Sequence, residues 1–284
     1  MSPALDLLTG RPLVVLTGAG LSTDSGIPDY RGPGSPDRTP MTYQEFVSGP
    51  EARQRYWARS HLGWSRMGTA EPNAGHRALA ALDPELLITQ NVDGLHEAAG
   101  SRRMVALHGR IADVVCLDCR ATSSRAALQA RLVALNPGFA ERHAAAEDRP
   151  DGDVDLDDTD GFAVPGCTDC GGVLKPDVVF FGENVPPARV ERCYAAVDAL
   201  VGSDGALLAC GSSLTVMSGF RFVRRAARAG VPVVIVNRGP TRGDDLAAYK
   251  LEVGCSEFLG ALMTARRGIP GRPGVPHLVG HRDT

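Results

Sequence analysis

The sequence has no block of five or more basic residues, no long apolar run and no recognisable leader. Its formal net charge is −3, so its charge does not favour nucleic acid or an anionic membrane as a partner. No apolar run approaches the roughly 18 to 20 residues that cross a bilayer. The first residues lack the charged and apolar regions of an export signal. These absences predict a cytoplasmic protein with neither a membrane nor a nucleic-acid partner.

Apolar residues make up 43% of the 284 residues, which is enough to build a hydrophobic core. Short runs of continuous apolar residues alternate with stretches of helical pattern. Such alternation predicts an α/β fold with a doubly wound, parallel, Rossmann-like sheet. The predicted strands are 13–18, 86–89, 104–107, 206–209 and 231–236.

A glycine-rich turn follows the first of these runs. Gly18 and Gly20 fit the start of a G-x-G-x-x-G dinucleotide motif, but Thr23 stands where the third glycine belongs. Taken alone, the stretch is explained equally well by an ordinary strand-to-helix turn. A carboxylate, a phenol and a guanidinium suited to a cofactor pocket come soon after, at Asp29, Tyr30 and Arg31.

Polar or glycine residues stand directly after each of the later strands. In an open parallel sheet, ligands bind at the carboxyl ends of the strands, so this repeated pattern predicts a single cleft. The groups that would meet there are Gln90-Asn91-Val92-Asp93, His108-Gly109, Gly211-Ser212-Ser213 and Asn237-Arg238-Gly239.

Four of the seven cysteines form two C-x-x-C pairs, Cys116 with Cys119 and Cys167 with Cys170. Four thiolates close a tetrahedral shell around Zn²⁺ and leave no open position, so the pattern predicts one structural zinc. The 47 residues between the pairs predict a zinc module that carries an insertion. Cys193 and Cys210 lie in apolar surroundings and are predicted to be core thiols.

The chain is accordingly divided into three parts and a tail. Residues 42–67 carry aromatic side chains at helical spacing, and the tail is rich in Gly, Pro, Arg and His. The predicted parts are a Rossmann-like dinucleotide-binding domain (1–32, 76–113 and 172–265), a cofactor loop with a helical module (33–75), a zinc-binding module with a long insert (114–171) and a disordered tail (266–284).

Together, these motifs and the run Lys175-Pro176-Asp177-Val178-Val179-Phe180-Phe181-Gly182-Glu183 resemble the sirtuin family, in the same order, over about residues 10 to 262. The stretches 54–59, 135–137 and 150–153 are similar to the class II group, which includes the mitochondrial sirtuin four. The resemblance implies an enzyme that consumes NAD while it removes an acyl group from a protein lysine. The products are nicotinamide, O-acyl-ADP-ribose and free lysine.

The resemblance also implies the roles of individual residues. His108 is the expected general base, acting through the ribose hydroxyls after the acyl oxygen has displaced nicotinamide. Asn91 and Asp93 are expected to act beside it. The expected cofactor contacts are Gly18, Ala19, Gly20, Ser22, Ile27, Asp29, Tyr30, Arg31, Gln90, Asn91, Val92, Asp93, His108, Gly211, Ser212, Ser213, Asn237, Arg238, Gly239 and Cys255.

Substrate recognition is implied for Val179 and Phe181 as walls of an acyl-lysine tunnel, with the nearby backbone pairing with the substrate peptide. The alternative is that Phe180 and Phe181 are plain core residues. The Tyr-x-x-Arg pair of desuccinylating members is not evident after Tyr30, so succinyl-lysine is not the expected substrate. Two other functions stay open, a protein ADP-ribosyltransferase and a non-catalytic NAD-sensing module.

Overall fold

A computed structural model describes residues 1–30, 40–67, 69–143, 156 and 158–267. In this part of the chain the strands are β1 (Leu13–Thr17), β2 (Leu86–Thr89), β3 (Met104–Ala106), β4 (Gly109–Cys116), β5 (Thr122–Ser124), β6 (Leu174–Val178), β7 (Ala206–Cys210), β8 (Val233–Val236) and β9 (Tyr249–Leu251). The α-helices are α1 (Ser2–Leu8), α2 (Tyr43–Val47), α3 (Pro50–Met67), α4 (Ala74–Leu82), α5 (Leu95–Ala98), α6 (Arg125–Leu135), α7 (Phe139–Arg142), α8 (Pro187–Asp198), α9 (Met217–Arg228) and α10 (Cys255–Arg267).

The larger sheet is parallel throughout, with the strand order β3-β2-β1-β7-β8-β9. The chain builds one half outward from β1 to β3 and then returns to the centre with β7. The strand order therefore reverses between β1 and β7, and a crevice opens at their carboxyl ends. This arrangement confirms the predicted doubly wound, Rossmann-like sheet.

Helices cover both faces of this sheet, because alternate residues of each buried strand point to opposite sides. Val14 and Leu16 of β1 pack in one apolar cluster with residues of α8 and α9. Leu13 and Val15 pack in the other cluster, with residues of α1, α4 and α10. Within the described residues, no helix is both long and apolar enough to cross a membrane.

A smaller antiparallel sheet has the order β5-β4-β6. Its strands β4 and β6 reach beyond the predicted ends of the zinc module at 114 and 171, because β4 pairs with β6 along most of its length. The domain boundaries stay a prediction.

The predicted helical module packs through an aromatic cluster. Phe46 of α2 makes edge-to-face contacts with Tyr56 of α3 and with Phe180, with ring centroids 5.4 Å apart in each pair. The fully buried Trp57 donates a hydrogen bond from Nε1 to the carbonyl of Leu174 in β6. Aromatic pairs of this kind stabilise packing beyond their buried area. The module is thereby fixed against the strand that leads to the predicted substrate segment.

Two further predictions concern the loop at 32–36 and the C-terminal tail. The Gly/Pro-rich loop at 32–36 and residues 268–284 lie outside the described residues. The tail prediction was wrong at its start, since α10 continues through Arg266 and Arg267. Arg266 donates to the carbonyls of Leu8 and Arg11, which ties the last turn of α10 to the N-terminal segment.

Two buried histidines lie beside the end of β1. His96 Nε2 is 3.0 Å from Thr17 Oγ1, and its ring contacts that of His76 with centroids 4.7 Å apart. Burial, and then the neighbouring His76, lower the pKa of His96 to about 3. His96 is therefore neutral in the folded protein at pH values where an unfolded chain would protonate it.

Replacing His96 is expected to reduce the acid sensitivity of the fold. The unfolded chain takes up a proton near the ordinary pKa of 6.5 and the folded chain does not, so stability falls as the pH drops below that value. From about pH 6.5 to pH 5, His96 accounts for about 1.5 kcal/mol of the loss. His96→Gln should remove that share in urea unfolding, and His143→Gln should not. Equal pH slopes for wild type and His96→Gln would contradict a neutral His96.

Candidate functional site

A cleft of about 820 Å³ lies at the carboxyl ends of the parallel strands, facing the zinc and helical modules. The loops after β1, β2, β3, β7 and β8 all contribute to its lining. Residues 178–185, Ile111 of β4 and Tyr56 of α3 also line it. Its volume falls in the range of cofactor and small-molecule sites. The strand ends that the sequence predicted to share one cleft do so.

Glycines allow two of these loops to touch backbone to backbone. Gly20 donates its N–H to the carbonyl of Gly211 over 2.8 Å, and Gly18 donates to the carbonyl of Cys210 over 3.1 Å. A Cβ on Gly18 would lie 2.7 Å from the carbonyl oxygen of Gly211, closer than real contacts allow. Gly211 itself has a φ of +65°, which favours glycine. Positions 18 and 211, in the loops after β1 and β7, therefore require glycine.

The missing third glycine also has a structural reason. In the usual fingerprint that glycine allows an α-helix to pack closely on the first strand. Here the chain instead forms two short 3-10 helices, Ala19–Leu21 and Thr23–Ser25. Thr23 is exposed, and its hydroxyl donates to the carbonyl of Gly20 over 3.1 Å. With no α-helix packed at this point, a side chain at position 23 meets no obstacle.

A polar network joins the loops after β1 and β2. Asn91 donates from Nδ2 to the carbonyl of Gly18 over 3.1 Å and to Ser22 Oγ over 3.0 Å. Ser22 in turn donates to Asp93 Oδ2 over 2.7 Å. The other oxygen of Asp93 accepts the N–H of Leu95 at the start of α5. Asn91, Ser22 and Asp93 are therefore held in fixed positions along one wall of the cleft.

His108 stands at the centre of the cleft, between the end of β3 and the start of β4. Its Nδ1 is 3.0 Å from the carbonyl oxygen of Gln90, and its Nε2 is 2.8 Å from Ser218 Oγ. Burial lowers the pKa of His108 to about 4, against the opposing effect of the hydrogen bond to Gln90. The imidazole is therefore neutral near pH 7 and can accept a proton, as a general base must.

The segment after β6 is coupled to this histidine through the backbone. Val179 donates its N–H to the carbonyl of His108 over 2.8 Å. Val179 and Phe181 line the cleft. Phe180 also borders the cleft, but it is buried and its ring packs against Phe46 and Tyr56, so it belongs to the core as the alternative held. Phe181 is 37% exposed, and that alternative was wrong for it.

A buried lysine stabilises the turn formed by this segment after β6. Lys175 has a side chain only 3% exposed, and its Nζ is 3.0 Å from Glu183 Oε2. It also donates to the carbonyls of Pro176 and Val178. Glu183 Oε2 accepts the N–H of Phe180 over 2.9 Å. Burying an ammonium without partners costs several kcal/mol, so the buried Lys175 needs all of these contacts. Together they close the turn that carries Val179 and Phe181.

Most of the predicted cofactor residues lie at the cleft. Arg31 lies outside the described residues. Cys255 is buried at the start of α10 with its Sγ 3.9 Å from the carbonyl of Val236, and it is not part of the lining. Those at the cleft are Gly18, Ala19, Gly20, Ser22, Ile27, Asp29, Tyr30, Gln90, Asn91, Val92, Asp93, His108, Gly211, Ser212, Ser213, Asn237, Arg238 and Gly239.

Sequence reasoning missed several lining residues. Tyr56 comes from the helical module and Ile111 from β4, so no strand-end pattern marks them. Met217, Ser218 and Arg221 belong to the first turns of α9. The sequence could have predicted the α9 residues, because they begin the helix that follows the Gly211-Ser212-Ser213 loop.

The four predicted zinc ligands converge at the far end of the small sheet. The Sγ atoms of Cys116, Cys119, Cys167 and Cys170 all lie within 4.8 Å of one another. The N–H of Asp169 is 3.4 Å from Cys167 Sγ, the kind of backbone contact that stabilises a thiolate. A closed set of four thiolates fits a structural Zn²⁺ and leaves no position for a reacting water. The remaining cysteines, Cys193, Cys210 and Cys255, are buried and free, as core thiols are.

Comparison with known proteins agrees with this geometry. A model described as the Sir2 family matches residues 18–218. The NAD-dependent protein deacetylase 1 of Mycobacterium avium is 54% identical over 271 residues, 93% of this chain and 95% of that protein. The protein of the same name from Streptomyces coelicolor is 57% identical over 259 residues, 88% of this chain and 85% of that protein.

Solved structures give the same match. A complex described as Sir2 with a p53 peptide and NAD⁺ superimposes with a TM-score of 0.70 at 32% identity, covering 93% of this chain and 97% of that chain. A Sir2 protein bound to a propionylated peptide gives a TM-score of 0.70 at 30% identity, with the same coverage. At these identities the two structures resemble this chain in sequence as well as in fold.

Zinc content is expected to depend on the cysteine cluster alone. The purified protein should carry about one zinc per chain, and Cys119→Ser should lower both the zinc content and the thermal midpoint, because the four ligands act together. Elemental analysis with a melting curve measures both quantities. Cys193→Ala, at a buried cysteine outside the cluster, is the matched control and should keep its zinc. Unchanged zinc in Cys119→Ser would contradict the assignment.

Gly109→Ala should be far more damaging than a glycine replacement in open space. Gly109 has a φ of +83°, and a Cβ there would overlap the carbonyl oxygen of Asp177 in β6. Gly100 has a φ of +89° with nothing within 4 Å, so Gly100→Ala isolates the cost of the backbone conformation, about 1–2 kcal/mol. Overpacking adds about 1–3 kcal/mol for Gly109→Ala. Equal free energies of unfolding for the two variants would show that β4 and β6 are not in contact at this point.

Proposed function

The chain belongs to the Sir2 family, and we propose on that premise that it removes acyl groups from protein lysines with NAD as the co-substrate. The observation that carries the proposal is the neutral His108, which stands in a cleft built from the carboxyl ends of the parallel strands. The products are nicotinamide, O-acyl-ADP-ribose and free lysine. The reaction makes the protein a sirtuin-type enzyme, a transferase of the acyl group to ADP-ribose.

Several features support NAD as the ligand of the β1 side of the cleft. The glycine loops after β1 and β7 leave backbone close to the space where a pyrophosphate would lie, as in other dinucleotide sites. In the proposed arrangement Ala19, Gly20 and Ser22, with Ser212 and Ser213, hold the pyrophosphate. Asn237 faces the adenosine ribose, with Arg238 and Gly239 beside it.

The nicotinamide end of NAD is proposed to lie near the loop after β2. Asp93 and the N–H of Val92 would hold the carboxamide, and Asn91 and Gln90 would face the adjoining ribose. Ile27, Asp29 and Tyr30 border the same end of the cleft. The network through Ser22 fixes Asn91 and Asp93 before any ligand binds. These side chains therefore lose little conformational entropy when NAD binds.

His108 is proposed to act as the general base. The carbonyl of Gln90 fixes the tautomer, so that Nδ1 carries the hydrogen and the lone pair that takes the proton is on Nε2. That proton comes from the ribose hydroxyls once the acyl oxygen has displaced nicotinamide from C1′. The zinc site stands apart from this chemistry and is proposed to hold the small sheet in shape.

Protein acyl-lysine is the proposed second substrate. Val179 and Phe181 both line the cleft, and they can form the walls of a lysine tunnel. The solved relatives that bind p53 and propionylated peptides are consistent with such a partner. The class II resemblance, the preferred acyl group and the cytoplasmic location stay predictions.

The direct test is turnover on a panel of peptides that carry acetyl-, propionyl-, butyryl- and longer acyl-lysines. With NAD, the full chain should release nicotinamide in equal amount to deacylated peptide, both measured by liquid chromatography with mass detection. His108→Ala should lower deacylation by about 10² to 10⁴ while NAD binding persists, because the variant loses only the base. His143→Gln is the control and should behave as wild type.

Other outcomes identify the two competing functions. Labelled adenylate that stays on protein after denaturing purification, without deacylation, would favour an ADP-ribosyltransferase. NAD binding with no nicotinamide release from any acyl-peptide would favour the sensing module. Either result would overturn the deacylase proposal.

A further inference from the structure

His108 has a second hydrogen-bond partner, for which the proposed mechanism has no role. Ser218 is the second residue of α9, and its Oγ lies 2.8 Å from His108 Nε2. Ser218 also lines the cleft, so a bound ligand would meet it directly. The nitrogen that has to accept the ribose proton is therefore already hydrogen-bonded in the free protein.

The chemistry of the partners decides which group donates. A carbonyl oxygen only accepts, so the Nδ1 that faces Gln90 carries the hydrogen. A neutral imidazole has a single N–H, which leaves the lone pair on Nε2. The hydroxyl of Ser218 must therefore donate to Nε2. The two contacts together fix the plane of the ring and direct its basic nitrogen toward the cleft.

Packing against Gln90 determines where Ser218 lies. Gly219, the next residue of α9, fits against the Gln90 side chain so closely that a Cβ would lie 2.7 Å from Cδ. Ser212 donates to Gln90 Oε1 over 2.7 Å and holds that side chain in place. Gln90 thus receives Nδ1 on its carbonyl while its side chain sets the position of the first turn of α9. Both contacts to the imidazole depend on this one residue.

We propose that Ser218 is the positioning residue of the base His108, an inference that rests on the proposed deacylase function. In the resting enzyme its hydroxyl donates to Nε2 and holds the neutral ring ready. During the reaction the Ser218 hydroxyl first turns its hydrogen away from the Nε2 lone pair. A ribose O–H bond then breaks as an Nε2–H bond forms, and Ser218 Oγ accepts a hydrogen bond from the imidazolium. A hydroxyl can do both because it has a donor and an acceptor, whereas alanine has neither.

This role is confined to one part of the reaction. Displacement of nicotinamide by the acyl oxygen comes before any proton moves to His108, so it does not need Ser218. Transfer of the acyl group to the ribose needs the base and therefore needs its orientation. Exchange of free nicotinamide into NAD reports the first part, and formation of deacylated peptide reports the second. A residue that merely supported the fold would change both.

Ser218→Ala is expected to lower kcat for deacylation about tenfold, the loss expected for one hydrogen bond to a charged group. Exchange of labelled nicotinamide into NAD, and KM for NAD, should stay within about twofold. Ser218→Thr keeps the hydroxyl and should recover deacylation to within about threefold of wild type. Thr264→Ala, which removes an exposed hydroxyl from α10, is the control for a lost hydroxyl elsewhere.

A second readout does not depend on turnover. In a ¹H–¹⁵N spectrum of labelled histidine, with the His108 signals assigned from His108→Ala, wild type should show a protonated Nδ1 and a hydrogen-bonded Nε2. Ser218→Ala should shift the Nε2 resonance and leave Nδ1 in place, and Ser218→Thr should restore it.

The two readouts separate the possible failures. If wild type deacylates no peptide, the proposed function fails, and the Nε2 resonance alone then decides whether Ser218 holds the imidazole. If wild type is active but Ser218→Ala lowers exchange and deacylation equally, or lowers neither, the positioning role is wrong. Failure of the threonine variant to recover activity while its Nε2 resonance is restored would also overturn it.

Discussion

The contact between the loops after β1 and β7 sets the geometry on which the rest of the cleft depends. Gly20 donates to the carbonyl of Gly211 at the point where the order of the strands reverses, and Gly18 lies so close that a methyl group would not fit. The loops can approach this closely only because neither presents a side chain. Asn91 then binds the carbonyl of Gly18, so the loop after β2 takes its position from the same contact.

From that edge of the sheet, hydrogen bonds lead to the opposite wall of the cleft. Gln90 receives His108 Nδ1 on its carbonyl, and His108 receives the N–H of Val179 on its own carbonyl. A single backbone hydrogen bond thus joins the proposed base to the proposed substrate segment. A displacement of either is transmitted to the other, because buried backbone groups are costly to leave without partners. Lys175 and Glu183 close the turn beyond Val179.

The two smaller modules give this arrangement rigidity. The cysteine cluster joins the β4–β5 turn to the segment before β6, so the small sheet is closed at the end away from His108. The aromatic contacts of Phe46 and Tyr56 with Phe180 press α2 and α3 against the substrate segment from outside. The helical module and the cysteine cluster thereby determine where Val179 and Phe181 stand.

The sequence alone determined the parallel sheet, the positions of five of its six strands, the four zinc ligands and the strand ends that line the cleft. These features follow from local patterns: continuous apolar runs, helical spacing, C-x-x-C pairs and the polar groups after each strand. Tertiary structure alone decided that Ser218 meets His108, that Phe180 is buried while Phe181 is exposed, and that Cys255 lies outside the lining. Each of these depends on which surface a neighbouring element covers. Ser218 and His108 are 110 residues apart, and no local pattern records that the first turn of α9 packs on Gln90.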